Sequence, residues 1–149
     1  MKTEVVFNYD ELASILPQSA PFIFIDRVTE FKHKEKVVAT KNVTGGEWFF
    51  QGHFPRKAVF PGVLLQEGIA QTAIVLFYDR DAKEQSTDDA WLLVGIKSRF
   101  ISQVTPGDQV EYTVKPGKLI SSGGIIEGSA TVNGETVMRS TLTVTRIEK

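Results

Sequence analysis

Apolar and polar positions along this chain fall into blocks with different periods. Asn8 and Asp10 precede Leu12, Ala13, Ile15 and Leu16, which predicts a short helix with a polar start, closed by Pro17. From Pro21 the run Phe-Ile-Phe-Ile-Asp-Arg-Val is aromatic and β-branched, and residues 36–43 follow in the same style after a charged turn. Together they predict two strands of a hairpin. Gly45 and Gly46 break the pattern, and the cluster Trp48, Phe49, Phe50, Phe54 follows. From Pro61 to about Arg80 apolar residues then cover every side of a helical wheel, so this helix must be enclosed by something else.

After a polar stretch over residues 79–89 the pattern becomes strand-like at residues 91–101, 108–115, 125–132 and 136–147. Val110, Tyr112 and Val114 alternate with Glu111, Thr113 and Lys115, and Leu142 and Val144 alternate with threonines, the period of strands with one buried face. Pro106-Gly107-Asp108 and Asn133-Gly134 supply turns, the second a strong hairpin signal. The expected architecture is one α+β domain over residues 1–149, an antiparallel sheet curled around one long apolar helix.

The chain's 149 residues are one domain's worth, and 42% hydrophobic with 23% charged residues suffices for a core. A net charge of −1 offers no global positive field for a phosphate backbone, so nucleic acid is not an expected partner. With no cysteine and only His33 and His53, disulfides, thiolate nucleophiles and Cys- or all-His-ligated metal are excluded. The start Met1-Lys2-Thr3-Glu4 lacks the apolar stretch of a secretory signal, and a cytoplasmic location is expected. Residues 58–78 are mostly apolar, but Glu67 and several Gly, Pro and Gln interrupt them, which favours a buried helix over a membrane span.

Three features can carry chemistry. Glu67 is the one charged residue of the helix between Lys57 and Asp79; it either lies on a solvated edge or is buried and held, and Gln71 on the same face can hold it. His53 sits in the tight turn Gln51-Gly52-His53-Phe54-Pro55, either packed on Phe54 or free to act as a base; His33, in a charged turn, reads as solvent-exposed. Pro61 suits the first helical position, and Gly62 behind it lets a ligand approach unpaired N–H groups at the positive end of the helix dipole. A base, an acid and an oxyanion donor are the parts that remove a proton beside a carbonyl and expel a hydroxyl as water. Spacing leaves open whether His53 and Glu67 meet within one chain or across a symmetric dimer.

These residues carry a resemblance. Phe49-Phe50-Gln51-Gly52-His53-Phe54-Pro55 followed by Phe60-Pro61-Gly62-Val63-Leu64-Leu65-Gln66-Glu67-Gly68-Ile69-Ala70-Gln71 resembles the signature of the bacterial 3-hydroxyacyl-[acyl-carrier-protein] dehydratases of the FabZ type. Leu16-Pro17, Pro21-Phe22, Asp26-Arg27-Val28, Lys97-Ser98-Arg99-Phe100 and Val104-Thr105-Pro106-Gly107-Asp108 match the family's flanking patterns, so the resemblance covers nearly the whole chain. Gln18-Ser19 depart from its usual His-Arg pair, Arg56-Lys57-Ala58 from a common Gly-x-Pro, and Gln103 from a frequent Pro.

The resemblance implies a hotdog fold, dimerisation through the sheets and often a trimer of dimers, with the active site at the dimer interface. It implies His53 as general base at C2 and Glu67 from the partner's helix as the group that positions or protonates the 3-hydroxyl. It further implies the N–H of Gly62 on the thioester carbonyl, the backbone near Val63 orienting the imidazole, and Gln71 holding Glu67. The implied reaction turns a (3R)-3-hydroxyacyl thioester into the trans-2-enoyl thioester and water, with no bound metal or nucleotide, the substrate riding on the phosphopantetheine of an acyl carrier protein. The FabA branch carries Asp where this chain has Glu67, so isomerisation to the 3-enoyl product is not expected. Phe22, Phe50, Phe60 and Leu64 are the expected tunnel residues. Arg56, Lys57, Lys97 and Arg99 are candidates for steering an acidic carrier. Two alternatives stay open: a thioesterase on the same fold, which needs no histidine, and a non-catalytic acyl-carrier binding subunit.

Overall fold

In the computed structural model the described residues are 4–82 and 89–148; Met1-Lys2-Thr3 and most of the polar stretch over residues 79–89 lie outside them. Helix α1 (Tyr9–Ile15) begins where the polar start predicts it. The Asn8 side chain accepts from the Glu11 N–H at 2.9 Å and the Glu11 carboxylate accepts from the Asn8 N–H at 3.2 Å, a reciprocal cap on two otherwise orphaned donors. Its one fully enclosed residue, Leu12, roots it in the core.

Strands β1 (Arg27–Lys32) and β2 (Lys36–Asn42) form the predicted hairpin. The strand expected from residue 21, however, starts only at Arg27. Ile23, Phe24 and Ile25 are buried. The backbone around them is satisfied by one helix side chain: Gln71 Nε2 donates to the Phe22 carbonyl at 2.9 Å and Gln71 Oε1 accepts from the Phe24 N–H at 2.8 Å. Buried backbone groups need partners, and here a carboxamide takes the place of a neighbouring strand.

Helix α2 (Gly62–Leu76) is capped by Pro61, so Gly62 rather than Pro61 is its first residue, and it ends short of the expected Arg80. At its end the Lys34 N–H, in the β1–β2 turn, donates to the Leu76 carbonyl at 2.9 Å, satisfying an acceptor that a further helical turn would have used. His33, exposed in that turn as expected, bonds through Nδ1 to the Tyr78 carbonyl at 2.8 Å.

The remaining strands are β3 (Asp89–Phe100), β4 (Gln109–Ile120), β5 (Gly123–Val132) and β6 (Glu135–Glu148). Strand β4 runs past the expected end at residue 115 because a register shift between Pro116 and Leu119 absorbs Pro116-Gly117 without breaking the pairing to β5. At the β5–β6 turn Asn133 and Gly134 both take positive φ, 51° and 81°, the geometry the hairpin signal predicts. The six strands form one antiparallel sheet in the order β1-β2-β4-β5-β6-β3. Helix α2 packs on β2, β4, β5 and β6, giving the α+β hotdog arrangement with the apolar helix inside.

Close approach of helix to sheet depends on Gly68. A Cβ there would overlap the ring of Tyr112, a fully buried residue of β4 whose phenol is pushed far above its ordinary pKa by burial, then by the fields of Asp26 and Glu47. Beside it, Gln66 Oε1 accepts from Ser140 Oγ at 2.7 Å and from Ser98 Oγ, so this buried amide is tied to β6 and β3. Gly68→Ala should therefore destabilise the fold by about 1–3 kcal/mol, the usual cost of overpacking a dense core. Urea unfolding followed by tryptophan fluorescence measures it, and a change inside experimental error would refute the steric argument.

Candidate active site

The loop bearing His53 is anchored before it is shaped. Lys41, nearly buried in β2, donates to Glu47 at 2.9 Å, and Glu47 precedes a single 3₁₀ turn, Trp48–Gln51. Phe49 and Phe50 of that turn are buried against Phe60, with Phe49 and Phe60 ring centres 4.8 Å apart edge to face. The His53 N–H then donates to the Phe49 carbonyl at 3.0 Å, and the Val59 N–H donates to the His53 carbonyl at 3.1 Å.

The imidazole is fixed from two directions. It stacks on Phe54 with ring centres 4.0 Å apart, and Nδ1–H donates to the Val59 carbonyl at 2.7 Å. A carbonyl only accepts, so Nδ1 carries the hydrogen and Nε2 is left for other work. The orienting carbonyl is Val59's, not the backbone near Val63: Val59 closes the turn back onto His53, whereas Val63 is 73% exposed on the first turn of α2.

His53 opens into a cavity of about 440 Å³ whose walls include Phe60, Gly62, Val63 and, from β3 and the loop after it, Phe100, Ile101 and Gln103. No side chain caps the start of α2, and Gly62 and Val63 precede the first N–H that bonds within the helix, that of Leu64. Their amides lie at the wall of the histidine's cavity, where they can receive an anionic oxygen. Glycine is required here for a reason spacing did not show: a Cβ on residue 62 would lie 2.6 Å from the Phe100 ring.

Glu67 lies elsewhere. Five residues beyond Gly62, it projects roughly 140° further round the helix and about 7.5 Å along it. It opens into a second cavity, of about 250 Å³, with Pro17, Gln18, Ala70, Phe77, Trp91 and Leu93 among its walls. Gln71 Nε2 donates to Glu67 Oε1 at 3.0 Å, the expected support, and Gln18 Nε2 adds a longer contact at 3.4 Å. Half-burial pushes the Glu67 pKa up, and the Gln71 bond pulls it part of the way back.

The two cavities share no wall residue, so one protomer does not bring His53 and Glu67 together. Of the expected tunnel residues only Phe60 lines either cavity. Phe50 is buried behind the histidine loop, Phe22 is 42% exposed against Phe24, and Leu64 packs against the core. Arg56 and Lys57 are exposed on the His53 loop. Lys97 and Arg99 lie apart from them, in an open groove of about 560 Å³ that also holds Lys115 and Arg139. Sequence reasoning missed Gln18, Val59, Leu93 and Phe100 as site residues; Phe100 stood inside a family motif, and Gln18 stood in one as a departure from its usual residue.

A FabA-like domain model matches residues 16–141. The chain belongs to the FabA-like family. Among curated proteins it is 43% identical over 141 residues to the 3-hydroxyacyl-[acyl-carrier-protein] dehydratase FabZ of Staphylococcus carnosus, covering 94% of this chain and 95% of that protein. It is 40% identical to FabZ of Staphylococcus aureus, covering 94% of each. Among solved structures this FabA-like chain superposes on the dehydratase heterocomplex ApeI:P from Xenorhabdus doucetiae with a TM-score of 0.76 at 19% identity, over 93% of this chain and 91% of that one. A hypothetical thioesterase with coenzyme A from Streptococcus pneumoniae gives 0.63 at 11% identity, over 82% and 85%. At such identities these structures establish the hotdog fold alone.

The raised Glu67 pKa has a sign that stability can read. The folded state holds its proton to higher pH than the unfolded chain, whose carboxyl sits near the ordinary 4.5, so this group's contribution is present below that value and is lost as pH rises through the folded pKa. Glu67→Gln should therefore melt higher than the parent at neutral pH, and the gap should close as the pH falls toward 4.5. Calorimetry across that range checks it, and a gap that widens on acidification would reverse the assignment.

Proposed function

We propose that this chain dehydrates a (3R)-3-hydroxyacyl thioester, presented by an acyl carrier protein in fatty-acid biosynthesis, to the trans-2-enoyl thioester and water. The observation that carries the reading is the division of labour between two cavities: an imidazole with Nε2 left for base work beside free helix N–H groups in one, and a half-buried, amide-held carboxyl in the other.

Strand β3 explains how the halves combine. It is an unpaired sheet edge with Leu92, Val94 and Ile96 exposed, the sort of edge that pairs with another chain unless it is covered. Its Leu93 lines the Glu67 cavity and its Phe100 lines the His53 cavity. Two copies pairing antiparallel along β3, with the two-fold axis between Ile96 and Lys97, would set Leu93 of one near Phe100 of the other, so that each carboxyl cavity meets the partner's histidine cavity. The working unit is thus a homodimer with two composite sites, and three such dimers can associate further.

In each site His53 Nε2 takes the proton from C2 while the N–H groups of Gly62 and Val63 hold the negative charge growing on the thioester oxygen. The C2–H electron pair becomes the C2=C3 bond, the C3–O bond breaks, and Glu67 gives its proton to the departing hydroxyl as water. Burial suits Glu67 to this task because it favours the protonated acid. Solvent then carries the proton from His53 back to Glu67. The steps need no metal or nucleotide. Among the described residues no helix is long and apolar enough to cross a membrane.

An acidic carrier docks through local basic groups. Lys97, Arg99, Lys115 and Arg139 share one groove, and Arg99 faces Arg139 directly across the β3–β6 pair, a like-charge pairing that an anionic partner relieves. Arg56 and Lys57 extend positive charge to the rim of the His53 loop.

Mass spectrometry of a 3-hydroxyacyl-carrier incubation tests the reaction: loss of one water from the carrier-bound acyl group is expected, and release of free acid instead would establish a thioesterase. His53→Ala should lower kcat about 10²–10⁴-fold, the usual worth of a positioned general base. Arg99→Glu should raise KM for the carrier-bound substrate while leaving turnover of the short pantetheine thioester unchanged; equal effects on both would move the docking surface elsewhere.

A further inference from the structure

The cavity around Glu67 is almost wholly apolar. Ala70, Ala73, Ile74, Phe77, Trp91 and Leu93 make much of its wall, and the side chains on it that can accept a hydrogen bond are those of Glu67 and Gln18. A hydroxyl group brought there has those two residues, and no other side chain on that wall, to accept its hydrogen.

Each amide near Glu67 has a different capacity. Gln71 is fully buried and fully used: its Nε2 donates to the Phe22 carbonyl and to Glu67, and its Oε1 accepts from the Phe24 N–H. Gln18 is not. Its Nε2 reaches Glu67 Oε1 at 3.4 Å, while its Oε1 is buried and receives no donor among the described residues. Contacts of that length in a ligand-free site commonly tighten when substrate binds.

The two amides also settle which carboxyl oxygen is reactive. Both donate to Oε1 of Glu67, at 3.0 Å and 3.4 Å, and an oxygen facing two N–H donors is poorly placed to hold a hydrogen of its own. The acid proton therefore sits on Oε2, free to be given to an incoming oxygen. A hydroxyl accepting that hydrogen still carries its own, which needs an acceptor on a largely apolar wall. Gln18, on that wall and with an Oε1 that no described residue engages, supplies the acceptor once its amide turns that oxygen toward the cavity.

We propose that Gln18 binds the hydroxyl group that leaves, its Nε2 holding Glu67 Oε1 while its Oε1 accepts the hydroxyl hydrogen. The inference rests on the dehydratase reading and adds a substrate contact to it. During elimination the C3–O bond breaks, the Glu67 Oε2 proton moves to the departing oxygen, and the hydrogen held by Gln18 stays on that oxygen, so water leaves already bonded to both residues. The same contact makes Gln18 a specificity residue. It favours acyl chains that carry a hydroxyl at C3 over saturated chains of equal length, which leave its carbonyl unpaired.

The test compares two ligands on full-length protein. In a His53→Ala background, which slows turnover enough for equilibrium binding to be read, affinities are measured for a 3-hydroxyacyl-pantetheine thioester and for the saturated thioester of the same length. Adding Gln18→Met, nearly isosteric but without donor or acceptor, should weaken the hydroxylated ligand about tenfold and move the saturated one by less than about twofold. Gln18→His, which again offers a donor and an acceptor, should recover much of the lost preference. If Gln18→Met weakens both ligands in proportion, or neither, Gln18 is a structural residue and the proposal fails. Dehydration by the unmodified protein is followed in parallel. Its absence counts against the proposed reaction, whereas a lost hydroxyl preference reads Gln18 independently.

Discussion

A helix that is apolar on every side exists in water only if something surrounds it, and the architecture of this chain follows from enclosing α2. The sheet covers it through β2, β4, β5 and β6, with Gly68 letting Tyr112 press against the helix backbone. The extended segment around Phe24 covers it further, tied down by Gln71. Enclosure leaves few places where a polar group on the helix is tolerated, and Gln66, Glu67 and Gln71 are each held by specific contacts, although Gln66 Nε2 finds no partner among the described residues. Gln66 is held by Ser98 and Ser140, Gln71 by two backbone groups, and Glu67 by the amides of Gln71 and Gln18.

The chemistry grows from the same enclosure. A carboxyl on a solvated helix face is an ordinary anion, but half-buried among Ala70, Phe77 and Trp91 it holds its proton more firmly, which suits the acid role proposed for Glu67. The helix start, left uncapped by any side chain, keeps N–H groups at the wall of the cavity that the histidine shares. His53, the proposed base, is held outside the helix altogether, on a loop secured by Lys41–Glu47 and by the aromatic cluster of Phe49, Phe50 and Phe60. The proposed acid and base are thus each held within one protomer yet face different spaces, and the edge of β3, running from one cavity to the other, is where the proposed dimer would join them.

Much of the fold was legible because its signals are local. The Asn8 cap, the turn at Asn133-Gly134, the alternation in β4 and β6 and the unbroken apolar wheel of α2 each depend on residues a few positions apart, and each appears where expected. The misjudged boundaries share one cause. Residues 22–25 have strand composition but bond to Gln71, α2 stops where Lys34 takes its last acceptor, and β4 continues through Pro116-Gly117 because β5 tolerates a shifted register. In each case a partner distant in the chain overrode local preference.

The same division holds at the site. The sequence by itself singled out His53 and Glu67 as candidates, since a lone charge on an apolar helix and an imidazole in a Gly/Pro-bounded turn are visible without coordinates. It also showed Gln71 on Glu67's face, because that contact spans one helical turn. Tertiary structure alone decided that Val59 orients the imidazole, that Phe100 walls its cavity and that Gln18, 49 positions from Glu67, shares the carboxyl's. Periodicity constrains neighbours along an element, whereas hydrogen-bond partners and cavity walls are set by how elements dock, and docking depends on packing the whole core at once.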